Sequence, residues 1–161
     1  MEHTLSVLVE NKPGVLTRVS SLFSRRGFNI ESLAVGPTDD ETLSRITIVV
    51  SAEDTPLEQI TKQLYKLVNV IKIQDLQPGD SINRELVLFK VNAPPERRAE
   101  VIEIANVFRA NIVDVGRNYL TIEATGSDDK LHAMEDLFRA YGIKELARTG
   151  KIALSRASRD V

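Results

Sequence analysis

Asn11 and Gly14 stand three residues apart in VENKPGVLTRVSSLF, between a strand-like apolar run and an amphipathic helix pattern. A Pro-Gly turn at that point leaves the free N–H groups of a helix start beside a short polar loop, which suits a small anion. Gly14 has no Cβ, so a ligand can approach the backbone closely. Asn11 can accept from an ammonium or donate to a carboxylate, and Val15 and Leu16 offer aliphatic walls. The set suits a small α-amino acid, although N-x-x-G also occurs as an ordinary turn. The segment has neither a Walker lysine nor a G-x-G-x-x-G, so neither phosphate-cradling pattern applies.

Other chemistries find less support. The two histidines, His3 and His132, lack an H-E-x-x-H or H-x-E partner, so His132 reads as a helix-surface residue and His3 as the frayed start of a strand. No serine sits in G-x-S-x-G. Asp39-Asp40-Glu41 lacks the spaced oxygen ligands and loop glycine of an EF-hand and reads as a solvated turn. Arg25-Arg26 and Arg97-Arg98 read as wet helix faces with acids nearby. No cysteine is present, which excludes disulfides, thiolate metal sites and a cysteine nucleophile.

The elements that must position Asn11 and Gly14 recur twice. Thr4–Glu10 reads as a strand, followed by a helix carrying Val15, Leu16, Val19, Leu22 and Phe23 at helical spacing and stopped by Gly27. Phe28–Val35 and Leu43–Val50 read as strands around the turn cluster Gly36–Asp40. Thr55 reads as the cap of a second helix, with Pro56 at its first position and Glu58 three residues on. Val70–Leu76 supplies a fourth strand.

The same order then returns. Glu85–Asn92 is a strand, and Pro94-Pro95 opens a helix with Val101, Ile104, Ala105 and Phe108. Asn111–Val115 and Tyr119–Ala124 form a hairpin around Gly116-Arg117-Asn118. Ser127 or Asp128 caps a last helix ending at Gly142, and Ile143–Leu154 holds a final strand. The fold class is therefore α+β, two ferredoxin-like βαββαβ units in tandem, with domains at 1–77 and 78–161.

Charge adds little to this. Eight basic and ten acidic residues fall up to Gln77, with thirteen of each beyond it, so neither half is an electrostatic tail. A net charge of −2 and strands Thr4–Glu10 and Leu43–Val50 without an aromatic argue against nucleic-acid binding. No apolar run is long enough to span a membrane and no signal-peptide pattern opens the chain, so a cytoplasmic protein is expected.

The stretch ENKPGVLTRVSSLFSRRGFNIESLAVGPTDDETLSRITIVV resembles an ACT domain, the amino-acid-sensing βαββαβ module. NIESL, PTDD and LSR together are similar to the regulatory small subunits of acetohydroxyacid synthase (acetolactate synthase). The likeness continues through EQITKQLYKLVNVIKI, RELVLFKV, FRANIVDVG and GKIALSR, covering essentially the whole chain.

The resemblance implies a non-catalytic partner of a large catalytic subunit that condenses pyruvate with pyruvate or 2-oxobutyrate. The partner stimulates that subunit and confers feedback inhibition, commonly by valine. No cofactor is expected in this chain; thiamine diphosphate, Mg²⁺ and FAD would belong to the large subunit. Effector sites in the family lie between two ACT domains, which implicates Asn11, Gly14, Val15 and Leu16 of one chain with Asn29 and Ile30 of another. Lys12-Pro13 is assigned no contact. A homodimer through the ACT domains follows, and Phe28–Val35, apolar on both faces at a sheet edge, is the strand to pair. The alternative is a free-standing ACT-type sensor, which the lack of a helix-turn-helix or basic DNA-binding segment disfavours if it is transcriptional.

Overall fold

The computed structural model describes residues 2–52 and 54–159, with the side chains of 54, 55 and 159 outside the description. The chain divides into two units, Met1–Ile82 with Lys151–Val161, and Asn83–Gly150. Each is an antiparallel sheet with two helices, giving the expected α+β tandem of βαββαβ units.

In the first unit, β1 (Glu2–Glu10), α1 (Val15–Arg25), β2 (Asn29–Pro37), β3 (Leu43–Ser51), α2 (Asp54–Tyr65) and β4 (Val70–Leu76) follow in order. The sheet runs β2-β3-β1-β4, so β2 lies at one edge and β1 in the interior. Alternation aims Leu5, Val7 and Val9 of β1 and Ile46, Ile48 and Val50 of β3 at one face. Val15, Val19 and Phe23 of α1 and Leu57, Ile60 and Leu64 of α2, at helical spacing, close that face into a core. Phe23 meets Phe28 edge to face, with centroids 6.0 Å apart.

The second unit repeats the plan with β5 (Ser81–Asn92), α3 (Arg98–Val107), β6 (Asn111–Val115), β7 (Tyr119–Gly126), α4 (Asp128–Arg139) and β8 (Ile143–Arg148). Its strand order is β6-β7-β5-β8. Phe89 and Phe138 pack edge to face at 5.4 Å in its core, beside Leu120, Ile122 and Met134.

Several local expectations shift. The tail is not one strand: Gly150, at φ 82°, breaks it, and β9 (Ile152–Ser155) pairs with β5, which begins at Ser81 inside the first unit. Residues 151–161 accordingly group with the first unit rather than with 78–150. Helix α3 starts at Arg98, not at the proline pair, because Pro94–Arg97 first closes a turn through Arg97 N–H to the Pro94 carbonyl. Helix α2 already includes Asp54, so Thr55 lies inside it; the side-chain cap expected of Thr55 falls outside the described residues. His3 is not frayed but sits within β1 opposite Val50, only 7% exposed, its Nδ1 3.6 Å from Asp75 of β4. Arg98 is not a wet residue either: its guanidinium donates to the carbonyls of Ala93, Gly116 and Arg117, tying down the β6–β7 turn. Among the described residues no helix is long and apolar enough to cross a membrane.

Candidate functional site

The loop after β1 is built by backbone hydrogen bonds. Glu10 N–H donates to the Asn69 carbonyl at 2.9 Å, and Asn11 N–H to the Thr42 carbonyl at 2.7 Å. The Asn11 side-chain amide donates to the Glu41 carbonyl at 3.1 Å, so this group also fastens the β2–β3 turn. Gly14 caps α1 at φ 83°, a left-handed conformation costly for L side chains. Its glycine identity therefore has a conformational reason beside the open approach inferred from the sequence.

Among the described residues no side chain caps α1, and its first turn holds no acid. Val15 N–H reaches the Lys12 carbonyl at a long 3.4 Å, while among the described residues no acceptor takes Leu16 or Thr17 N–H. Free donors and the positive end of the helix dipole thus face outward beside Gly14. Arg18 strengthens that field. One guanidinium nitrogen donates to Asn69 Oδ1 at 2.7 Å, and the other lies 4.0 Å from where a Cβ on Gly14 would be. Sequence reasoning did not single out Arg18; its position four residues after Gly14, one turn along the helix, was the available signal.

The remaining residues divide. Val15 is 3% exposed and belongs to the core, so its side chain is no ligand wall and only its backbone faces the loop. Leu16, 40% exposed, is the aliphatic surface beside Gly14. Asn29 is exposed and Ile30 half-buried, both at the start of β2. They are not near Gly14 within one chain. Asn29 pairs with Ser51, whereas Glu10 pairs with Leu43. Those rungs lie eight residue steps apart on β3, about 26 Å at ~3.3 Å per residue. Asn29 and Gly14 therefore occupy opposite ends of the sheet.

Two carboxylates near these residues are perturbed. The Thr42 hydroxyl at 2.6 Å, then its N–H at 2.9 Å, hold the Asp40 carboxyl below the usual range. The Asp39-Asp40-Glu41 segment is thus a self-capped turn. Glu31 is pushed up, first by its hydrogen bond with Glu2, then by burial and the Glu2 charge, with Lys151 opposing. Among the described residues no three metal-ligating side chains gather. His132 is exposed on α4, its Nδ1 4.0 Å from Glu135.

Known proteins match both units. Residues 5–72 fit the family model of the "AHAS small subunit-like ACT domain", and residues 84–157 that of the "Small subunit of acetolactate synthase". The chain is 57% identical over 159 residues to a "Probable acetolactate synthase small subunit" of Archaeoglobus fulgidus, covering 99% of each. It is 59% identical to the "Acetolactate synthase small subunit" of Mycolicibacterium smegmatis, covering 99% of this chain and 94% of the relative. Among solved structures, the acetolactate synthase small subunit from Thermotoga maritima superimposes with a TM-score of 0.90 at 42% identity, covering 97% of this chain and 98% of that one.

Proposed function

The chain belongs to the acetolactate synthase small-subunit family, and from that premise we propose that it is the regulatory, non-catalytic subunit of a cytoplasmic acetolactate synthase. It stimulates the large catalytic subunit and confers feedback inhibition by a branched-chain amino acid, with valine the first candidate. The observation that carries this reading is a family match through both units, not the ACT half alone. Thiamine diphosphate, Mg²⁺ and FAD belong to the large subunit.

The effector carboxylate docks on the free N–H groups beside Gly14, with Arg18 adding positive charge. Asn29 and Ile30 come from a second copy, because one chain holds them at the far end of its own sheet. An isologous antiparallel pairing of two β2 strands centred on Leu33 sets Asn29 opposite the partner's Pro37. That is the end of the sheet where the partner's Gly14 loop lies. The edge position of β2 supports such pairing.

Hydrogen bonds to a charged group contribute about 1.5–3 kcal/mol each. Burying an isopropyl group adds about 1.5–3 kcal/mol. Ordering and desolvation cut this to micromolar or millimolar affinity. Inhibition follows when the effector binds one arrangement of the complex better than another.

The test is acetolactate formation by the cognate large subunit alone, with this chain, and with this chain plus L-valine. Stimulation that valine reverses supports both roles. Absence of stimulation with a verified partner removes the subunit reading and leaves an ACT-type sensor.

A further inference from the structure

Strand β2 is the outermost strand of its sheet and carries an irregularity two residues into its length. Ile30 and Ser32 oppose consecutive residues, Val50 and Val49 of β3, so Glu31 is the extra residue of a bulge. A bulge decides which face the residues on either side of it present. Losing it shifts Asn29 and Ile30 by one rung and exchanges their faces.

The residue fastening this bulge comes from 119 positions away in the chain. Lys151 N–H donates to Ser32 Oγ at 3.0 Å, and Lys151 Nζ reaches Glu2 Oε1 at the same distance. The Lys151 side chain is 11% exposed. Its ammonium, drawn largely out of water, must stay with carboxylates, which anchors the segment on β1 while its backbone holds Ser32. The carboxyl of Glu31, the bulged residue, feels the charges of both Glu2 and Lys151. Lys151 is also where the chain re-enters the first unit after Gly150.

We propose that Lys151 and Ser32 form a clamp that fixes the β2 bulge and so aims Asn29 and Ile30 at the effector, making Lys151 a positioning residue for feedback inhibition. The clamp rests on the effector reading given above.

The test uses the chain assembled with its large subunit, with L-valine as probe. Ser32→Ala removes the acceptor of the clamp, Lys151→Ala the ion pair, and Lys151→Arg keeps the charge. Ser32→Ala and Lys151→Ala are expected to raise the half-inhibitory valine concentration by about fivefold or more. Effector-free stimulation should stay within about twofold of the parent, as for substitutions that leave the fold intact. Lys151→Arg should stay near the parental inhibition. Amide hydrogen exchange in residues 29–35 should rise in the two alanine variants, reporting the released strand directly. If Lys151→Ala does not fold, Ser32→Ala, which deletes a single oxygen, decides alone.

Parental valine response in both alanine variants overturns the clamp. Gly14→Asp run in parallel separates the two failures. If it loses inhibition while the alanine variants keep theirs, the clamp falls by itself. If it too is inhibited like the parent, the effector reading and the clamp fall together.

Discussion

Gly14→Asp changes two things whose sizes can be separated. The backbone there sits at φ 83°, where an L side chain costs about 1–2 kcal/mol, with aspartate at the lenient end. No neighbour opposes the new Cβ, since the nearest atom is the Arg18 guanidinium at 4.0 Å. A loss of about 1 kcal/mol shifts Tm by about 4–8 °C in a unit of this size. The folded state therefore survives. The effect on the ligand is larger. The new carboxylate stands where the effector carboxylate should dock and within reach of the same guanidinium. Loss of one hydrogen bond to a charged group, about 1.5–3 kcal/mol, weakens binding about 10- to 150-fold. The assay is a valine titration of acetolactate formation, with Gly14→Ala as the control that carries similar backbone strain and no charge. Gly14→Asp should lose inhibition while keeping stimulation, and Gly14→Ala should fall between it and the parent. Equal losses in both variants would assign the effect to strain, and an unchanged half-inhibitory concentration in Gly14→Asp would refute the carboxylate site.

Three further outcomes are expected. Val35→Asp places a carboxylate opposite the partner's Glu31 when β2 strands pair about Leu33, twice per dimer by symmetry. At about 1 kcal/mol or less per pair, sedimentation should show a dimer weakened by up to ~30-fold, whereas Val35→Lys should associate like the parent; identical behaviour of the two rejects that register. The perturbed carboxylates give opposite pH signs. Asp40, held low by Thr42, contributes stability that is present above the unfolded value near 3.8 and is lost as pH falls through its lower folded pKa. Glu31, pushed up, contributes fully below 4.5 and loses that contribution as pH rises through its higher folded pKa. Urea unfolding across pH 2–7, at intervals of about one pH unit, should show Asp40→Asn losing less stability than the parent on acidification. The same series should show Glu31→Gln gaining on the parent as pH rises; reversed slopes reject the assignments. In the second unit, Phe138→Ala removes a fully buried ring packed on Phe89 and should cost about 3–5 kcal/mol by denaturant midpoint. A loss below about 1 kcal/mol would mean that the core collapses onto the gap.

Elements governed by near neighbours were legible in the sequence. Leu5, Val7 and Val9 alternate because a strand has two faces, and Val15, Val19 and Phe23 repeat because a helix turns every ~3.6 residues. The turn at Pro13-Gly14 was legible too, since a Pro-Gly pair punctuates the chain between strand and helix, whereas the positive φ of Gly14 came from the structure. Errors arose where a distant residue decides. The frayed reading of His3 failed because Val50 and Asp75 enclose it, and the wet reading of Arg98 failed because Ala93, Gly116 and Arg117 collect its guanidinium.

Within the candidate site the same division holds. Residue types alone determined a glycine-led turn into a helix at Asn11–Leu16, because chain direction and glycine stereochemistry are local properties. Only the tertiary structure set Arg18 between Gly14 and Asn69. It also put Asn29 at the far end of the sheet from Gly14 and brought Lys151 onto Ser32. Strand register and long-range hydrogen bonds join residues that share no periodicity, so spacing along the chain carries no trace of them.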